Sequence, residues 1–181
     1  MALAALKQRR TIRNFDPNYA IPKEQLTEII NMGLNAPNAK NLQSIDLVVI
    51  TNKKKIKELN DICYNCFPKE IQANFDMRKG KYAVSNTVVG DAPCVILLVK
   101  NERAEKWVQV DAGMMLMSLI VAAQEFKIDS LPMGSVCHAK VEEHFGLKPG
   151  SLLVGLGLGK VNKKPIVDNK TILSKVQFVP E

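Results

Sequence analysis

The sequence predicts an α+β protein built in layers, with a mostly antiparallel sheet around one long buried helix. Short apolar segments typical of strands alternate along the chain with segments of helical periodicity. One helical segment, residues 105–126, is apolar almost all round between Met114 and Ala123. Such a helix needs other elements on most of its sides, which argues against a plain doubly wound sheet.

The chain has 181 residues, which suits one compact domain better than two. No repeat, low-complexity segment or linker divides it, so we expect a single domain over residues 1–181. Its longest apolar run, residues 114–123, is about half as long as a membrane-spanning helix, and its N-terminus lacks the features of a signal peptide. We therefore expect a cytoplasmic protein that does not bind a membrane.

Three helices and a strand are predicted in the first half. A short helix covers residues 3–9, and a second begins near Pro22, a favoured first helical position. The turn-rich residues 36–41 lead to a buried strand over residues 46–51. A basic amphipathic helix follows, with one apolar face formed by Ile56, Leu59 and Cys63.

The second half begins with a polar, mixed segment, residues 67–91, for which we expect only partial helix. Residues 94–99 form a central strand, and residues 105–126 form the long helix. The remaining predicted elements are a strand over 131–136, a short helix over 139–145 closed by Gly146, and a strand over 151–157.

The C-terminal tail, residues 171–180, carries five large apolar side chains: Ile172, Leu173, Val176, Phe178 and Val179. Burying each is worth roughly 1.5–3 kcal/mol, so we expect the tail to dock on a surface. Its own subunit is the simplest candidate for that surface.

The glycines at positions 155, 157 and 159 resemble the glycines of a dinucleotide-binding loop. The spacing is GxGxG instead of GxGxxG, and the basic, Pro-containing residues 160–165 that follow cannot begin the helix that would receive a phosphate. The sequence therefore excludes a Rossmann site and favours glycines that allow close backbone approach.

Cys63 and Cys66 form a CxxC, which in principle is a redox pair or half of a zinc site. A zinc site needs a second pair, and only Cys137-His138 is present. Ordinary helix-end cysteines and no metal are therefore the favoured interpretation. His138 and His144 have no accompanying catalytic partners, so we expect surface or structural roles.

The formal net charge of +7 suits an anionic partner without identifying it. Arg9, Arg10, Thr11 and Arg13 combine bidentate cationic donors with a hydroxyl, as phosphate recognition does. An exposed basic helix end explains them equally well. The amide-rich residues 37–43 and the Pro-x-Gly at 132–134 are each weak signals of ligand contact.

These motifs occur together and in order in the FMN-dependent nitroreductases. Residues 9–15, RRTIRNF, resemble the opening motif of that family, and residues 36–43, APNAKNLQ, resemble its APSxxNxQ loop. The remaining matches follow in the family's order: Ala92-Pro93 before a strand, Asp111-Ala112-Gly113 opening the long helix, Pro132-Met133-Gly134, and Gly155-Leu156-Gly157 before a basic segment. The resemblance covers nearly the whole chain.

The resemblance implies an intertwined homodimer with two FMN sites at the subunit interface, and it favours the partner subunit as the surface on which the C-terminal tail docks. By analogy, Arg9, Arg10 and Thr11 hold the phosphate and ribityl groups, and Arg13 lies toward the pyrimidine edge. The other subunit contributes its amide loop, the Pro-x-Gly segment faces flavin N5 and O4, and a lysine closes on the phosphate. The residues concerned are Pro37, Asn38, Ala39, Asn41 and Gln43; Pro132, Met133 and Gly134; and Lys160, Lys163 or Lys164, with Asn86 as a further flavin contact.

The implied activity is hydride transfer from NADH or NADPH to FMN N5, followed by reduction of a nitroaromatic, quinone or similar electrophile. The flavin carries the chemistry, so no catalytic side chain is expected, although Arg13 would stabilise the reduced flavin at N1. Two alternatives stay open at this point. One is related flavin chemistry, such as reductive dehalogenation or a flavin-consuming reaction. The other is a basic nucleic-acid-binding module, which the 6% aromatic content disfavours.

Overall fold

In a computed structural model of the chain, which describes residues 2–167 and 171–179, four strands form one sheet in the order β1-β2-β4-β3. The strands are β1 (Ile45–Ile50), β2 (Cys94–Lys100), β3 (Asp129–Met133) and β4 (Leu152–Gly159). Each neighbouring pair is antiparallel, and β2 lies in the interior of the sheet. The predicted sheet type and the predicted central strand are both confirmed.

Most of the helices lie close to their predicted places, and the fourth falls in the segment, residues 67–91, for which partial helix is expected. They are α1 (Ala2–Gln8), α2 (Lys23–Leu34), α3 (Lys53–Cys66), α4 (Lys69–Tyr82), α5 (Val108–Glu125) and α6 (Ala139–His144). Gly146, with φ of +65°, follows α6 as predicted. The strand predicted over 131–136 is wrong at its end, because residues 134–136 leave the sheet as a 3-10 turn.

Side chains of β2 alternate between two apolar cores, one on each face of the sheet. Leu97 packs in the core that contains Leu59 of α3. Its neighbour Ile96 packs in the opposite core with Ile29 of α2 and Leu119 of α5. The sheet therefore lies between two helical layers, which confirms the layered α+β architecture.

The outer face of α5 is the side of the long helix that is not buried. Val110, Met114 and Met117 are 58%, 46% and 37% exposed. The inner face meets the sheet and α2, α1 contacts the helix as well, and these three side chains remain exposed in the single chain. The long helix is therefore buried on most sides, as predicted, apart from this outer face. Among the described residues, no helix has the length and apolarity that crossing a membrane requires.

The glycines of β4 allow close packing, as predicted. A Cβ on Gly159 would stand 2.6 Å from Cδ of Pro93, and one on Gly155 would stand 2.7 Å from Cγ2 of Val136. No helix begins in the residues that follow β4 up to 167. The exclusion of a Rossmann loop is therefore confirmed.

The segment that was hardest to predict is partly helical, as expected. It contains α4 and then a tight turn over residues 83–91. The carboxylate of Asp91 accepts hydrogen bonds from the backbone N–H groups of Ser85 at 2.8 Å and Asn86 at 2.7 Å. This buried carboxylate holds the turn closed.

The tail does not pack on its own subunit. Residues 171–179 form neither helix nor strand, and their five large apolar side chains are 79–87% exposed. Pro180 lies outside the described residues. The tail thus does not dock on its own subunit in the single chain, and docking on the partner subunit stays a prediction.

Candidate functional site

An open cleft of about 400 Å³ lies beside α1 and contains the arginine motif. Its lining is strongly cationic and includes no carboxylate: Leu6, Lys7, Arg9, Arg10, Thr11, Arg13 and Val167. Four cations with one hydroxyl form a donor set that suits a phosphate group.

The backbone of the arginine motif is fixed by its neighbours. Ile12 donates its backbone N–H to the Ser130 carbonyl oxygen at 3.0 Å, and Phe15 donates its N–H to that of Gly90 at 2.9 Å. Both side chains are almost fully buried. These anchors hold Thr11 and Arg13 in the lining of the cleft.

The arginines of this motif differ in their partners. Nη1 of Arg10 donates to the carbonyl oxygens of Lys7 and Arg9, each at 2.8 Å, and so caps the end of α1. In the part of the chain that the structure describes, the guanidinium groups of Arg9 and Arg13 have no hydrogen bond or ion pair. These two remain available for an anionic ligand.

The basic C-terminal segment meets the arginine motif through its backbone. The buried Asn14 donates its side-chain amide to the Lys164 carbonyl oxygen at 2.9 Å. The lysine side chains themselves do not line the cleft: Nζ of Lys160 stands 5.0 Å over the Tyr19 ring, and Lys163 is exposed. The C-terminal segment therefore meets the arginine motif, but the ammonium groups of the three predicted lysines do not line the cleft.

The amide loop lines a different cavity, of about 170 Å³, which contains Pro37, Asn38 and Gln43. The loop has an unusual backbone, because Lys40, Asn41 and Gln43 have φ of 54°, 53° and 48°. Left-handed non-glycine residues are strained, so surrounding contacts must hold them.

Those contacts come from inside and outside the loop. Oδ1 of Asn38 accepts the backbone N–H of Gln43 at 2.9 Å. Arg103 donates from Nε to the Leu42 carbonyl oxygen at 2.8 Å and from Nη2 to that of Gln43 at 2.7 Å. Asp111, which the sequence left without a role, accepts the N–H of Ala39 at 2.9 Å. The loop is thus preorganised, with Asn41 exposed.

The Pro-x-Gly segment lies at the end of β3, next to the arginine motif. Thr11 forms a parallel bridge with Ser130, so the chain beyond Thr11 runs in the direction of Pro132. Met133 is buried, whereas Gly134 is exposed and a Cβ there would meet nothing within 4 Å. Open space in front of this backbone is what a ligand contact there requires.

Asn86, the predicted flavin contact of the middle segment, is engaged within its own turn. Its side-chain amide donates to Oδ1 of Asp91 at 2.9 Å, and its carbonyl oxygen accepts the Gly90 N–H at 2.7 Å. Its role toward a ligand stays a prediction.

Sequence reasoning missed Arg78 of α4. Its guanidinium carbon lies 4.4 Å from the centre of the Phe75 ring, and its Nη1 donates to the Thr87 carbonyl oxygen at 3.3 Å. The signal was the spacing of an aromatic residue and an arginine by three positions, which places both on one helix face. The sequence alone does not reveal this face, because the pattern of residues 67–91 does not define where a helix begins and ends.

Two buried thiols, Cys63 of the CxxC and Cys94 of β2, are poor candidates for redox chemistry. Burial is the main cause that raises the pKa of Cys63 to about 12, and it also raises that of Cys94 to about 12. Such thiols stay protonated and unreactive at neutral pH. Across the residues that the structure describes, no three His, Cys, Asp or Glu side chains are arranged to hold a metal ion.

Comparisons with known proteins all point to one family. The sequence model of the Nitroreductase family matches residues 6–160. YdgI of Bacillus subtilis, named as an NAD(P)H nitroreductase, is 29% identical over 164 residues, which cover 78% of each chain.

Two solved structures share the fold. A nitroreductase with bound FMN from Bacteroides fragilis superposes with a TM-score of 0.80 at 18% identity, covering 99% of this chain and 98% of that one. The FMN-dependent nitroreductase NfnB from Mycobacterium smegmatis, in complex with NADPH, gives 0.75 at 19% identity, with the same coverage of each chain. Because the family model spans most of the chain and agrees with the ordered motifs, the chain belongs to the nitroreductase family.

Proposed function

We propose that this nitroreductase binds FMN, works as a homodimer, and transfers electrons from NADH or NADPH to nitroaromatic, quinone or similar electrophilic compounds. The observation that carries the proposal is the cationic cleft, in which Arg9 and Arg13 have no partner among the described residues. The relatives named above, an NAD(P)H nitroreductase and two FMN-containing enzymes, support the choice of cofactor and electron donor.

The donor set fits FMN better than a dinucleotide. Arg9, Arg10 and Thr11 would hold one terminal phosphate through charge-assisted hydrogen bonds. The glycine segment of β4 is packed inside the fold and is closed to a pyrophosphate. One of Lys160, Lys163 or Lys164 would complete the phosphate site after a change of side-chain rotamer.

The protein supplies position and charge. When bound, FMN accepts a hydride from the nicotinamide and passes reducing equivalents to the electrophile. Arg13 would stabilise negative charge near the pyrimidine ring, and the backbone of Met133 and Gly134 would donate hydrogen bonds to the central ring. None of these roles requires a side chain that gains or loses a proton.

The amide loop and the exposed face of α5 support a site shared by two subunits. In one chain, the cavity that the amide loop lines is separate from the cationic cleft. An apolar groove lies between α1, α2 and α5. It contains four exposed side chains: Leu6, Met32, Met114 and Met117. An apolar surface of this kind marks an interface, and flexible methionines adapt well to a second copy of the chain. Pairing would cover the groove and bring the loop of one subunit, with Pro37, Asn38, Ala39, Asn41 and Gln43, to the cleft of the other.

A visible absorption spectrum of the purified protein tests the proposal. We expect a yellow protein with a flavin spectrum, from which mass spectrometry of the released chromophore identifies FMN and not FAD. Anaerobic addition of NADH or NADPH should bleach the spectrum, and a nitroaromatic compound should restore it. A colourless protein that also fails to bind added FMN would refute the proposed function.

A further inference from the structure

Arg78 is a half-buried cation for which the described part of the chain provides no anion. The ion pairs found there involve other residues. Its guanidinium is fixed by the Phe75 ring at 4.4 Å and by the hydrogen bond to the Thr87 carbonyl oxygen. Only Nη1 uses a protein acceptor among the described residues, so Nε and Nη2 are left for a ligand.

The turn that receives Arg78 also packs against the arginine motif. Gly90, three residues after Thr87, accepts the Phe15 N–H at 2.9 Å, and a Cβ on Gly90 would stand 2.9 Å from the Arg13 carbonyl oxygen. Burial, and after it the positive charge of Arg13, lower the pKa of Arg78. The turn that fixes Arg78 therefore lies against the backbone of Arg13, a residue of the cationic cleft.

Like charges in a partly desolvated region repel each other and need compensation. The proposed cofactor accounts for Arg9 and Arg10 through its phosphate and for Arg13 through its ring. Arg78 comes from a different element, α4, and is not among the residues that line the phosphate cleft. Within the described residues, Arg78 is then left without a negative charge from the protein or from the proposed cofactor.

We propose that Arg78 binds an anionic group, a carboxylate or a phosphate, on the second ligand that enters the site beside FMN. The proposal rests on the proposed function and adds a preference for negatively charged ligands to it. The anionic group has two possible sources, an acidic electrophile or the phosphates of the reduced nicotinamide nucleotide. Both would use the same bidentate guanidinium chemistry.

Equilibrium binding to the oxidised, FMN-loaded enzyme tests the proposal without turnover. The probes are 4-nitrobenzoate and its neutral counterpart 4-nitrobenzamide, and each is titrated while the visible flavin spectrum is followed. In Arg78→Gln, the Kd for the carboxylate should rise about 10- to 100-fold, as expected for one lost charged hydrogen bond, while the amide changes little. Arg78→Lys should recover part of the loss, because it restores the charge without the planar fork.

Lys79→Gln is the matched control. It removes the same charge from the adjacent position, where the exposed Lys79 pairs with Asp76 at 3.4 Å. Rapid-mixing reduction by NADPH, by NADH and by reduced nicotinamide riboside, which carries no phosphate, forms the second arm. A selective loss with the phosphorylated donors identifies the nucleotide as the source, and a selective loss with 4-nitrobenzoate identifies the electrophile.

The outcomes separate this inference from the proposed function. Failure to bind FMN would refute the function itself. A yellow Arg78→Gln enzyme that binds every charged and neutral probe as the wild type does would overturn the inference alone. Equal losses for charged and neutral probes would also overturn it, because they would show that Arg78 only supports the fold.

Discussion

The carboxylate of Asp111 on α5 accepts the backbone N–H of Ala39 at 2.9 Å and thereby ties the long helix to the amide loop. Asp111 is 6% exposed, so this contact is shielded from water. The loop beyond it contains three strained left-handed residues, which relax when their restraints are lost. The geometry of the loop therefore depends on a buried residue that belongs to another element.

Asp111→Ala should weaken FMN binding, because the loop loses this restraint and leaves an unsatisfied N–H. The expected loss is about 1–3 kcal/mol, measured by fluorescence titration of FMN into the apoprotein. Glu105→Gln is the control. It removes the exposed ion pair between Glu105 and Lys40, and Lys40 belongs to the same loop. An exposed pair is worth at most about 1 kcal/mol. Equal effects of the two variants would contradict a special role for Asp111.

Replacing Arg9 and Arg10 together by alanine should separate phosphate binding from ring binding. We expect FMN affinity to fall by roughly 2–4 kcal/mol, with riboflavin, which lacks the phosphate, affected far less. Isothermal titration with both ligands gives the comparison. Removing two exposed charges elsewhere, in Lys54→Ala with Lys69→Ala, controls for net charge. Equal losses for FMN and riboflavin would refute the phosphate assignment.

Local pattern was enough to predict most of the elements. The apolar run of β2 and the stripe of α3 follow directly from side-chain periodicity. By contrast, α4 was not delimited, because Phe75 and Tyr82 are its buried residues while Ile71 and Met77 are exposed. Nothing periodic marks such a helix.

The sequence predicts which residue types form the site, but it does not predict the contacts that hold them in place. The arginines were recognised because cations and a hydroxyl stand next to each other in the sequence. The bond between Asp111 and Ala39 and the bond between Phe15 and Gly90 join residues more than 70 positions apart, so only the fold brings them together. The exposed face of α5 could not be predicted either, since composition does not distinguish a covering helix from a covering subunit.

The buried thiol of Cys63 should make stability depend on alkaline pH. Burial, and then the neighbouring Cys66 and Cys137, raise its pKa to about 12 in the folded protein. Between about pH 9 and about pH 12 the unfolded chain loses this proton while the folded one keeps it. The free energy of unfolding should therefore fall with rising pH, by about 1.4 kcal/mol per pH unit from this group.

Guanidinium unfolding of the reduced protein at several pH values above 9 measures that slope. Cys63→Ala should lower stability at every pH, because it leaves a small cavity, but it should flatten the slope by about 1.4 kcal/mol per unit. Cys94→Ala, at the other strongly buried thiol, should flatten it similarly. Curves that run parallel to the wild type would show that neither thiol is responsible.

Gly159→Ala should destabilise the fold by about 1–3 kcal/mol, because the new methyl group would stand 2.6 Å from the rigid Pro93 ring. Gly80→Ala is the control within α4, where a Cβ meets nothing within 4 Å. There the substitution should stabilise the helix by about 0.5–1 kcal/mol. Thermal and denaturant unfolding compare the two variants, and an unchanged stability in Gly159→Ala would show that the strand moves to accept the methyl group.

The C-terminal tail should dock on the partner subunit and hold the dimer together. Five apolar side chains, 79–87% exposed on a single chain, are unlike the surface of a protein that works as a monomer. Each is worth roughly 1.5–3 kcal/mol when buried, so a partner surface that receives them gains considerable stability. The exposed face of α5 shows that the single chain has more apolar surface to cover than the tail alone.

Truncation after Asp168 removes the tail while keeping every residue of the proposed FMN site. We expect the truncated protein to dissociate at concentrations at which the full chain is dimeric, and to lose FMN as it does so, because the proposed site needs both subunits. Analytical ultracentrifugation with flavin detection follows mass and cofactor together. Full chains carrying Leu173→Ser and Phe178→Ser should show the same change in weaker form, which separates loss of apolar contact from loss of chain length. If the truncated protein remained dimeric and fully loaded with FMN, the tail would be dispensable and the dimer would have to be held by the groove of α1, α2 and α5 alone.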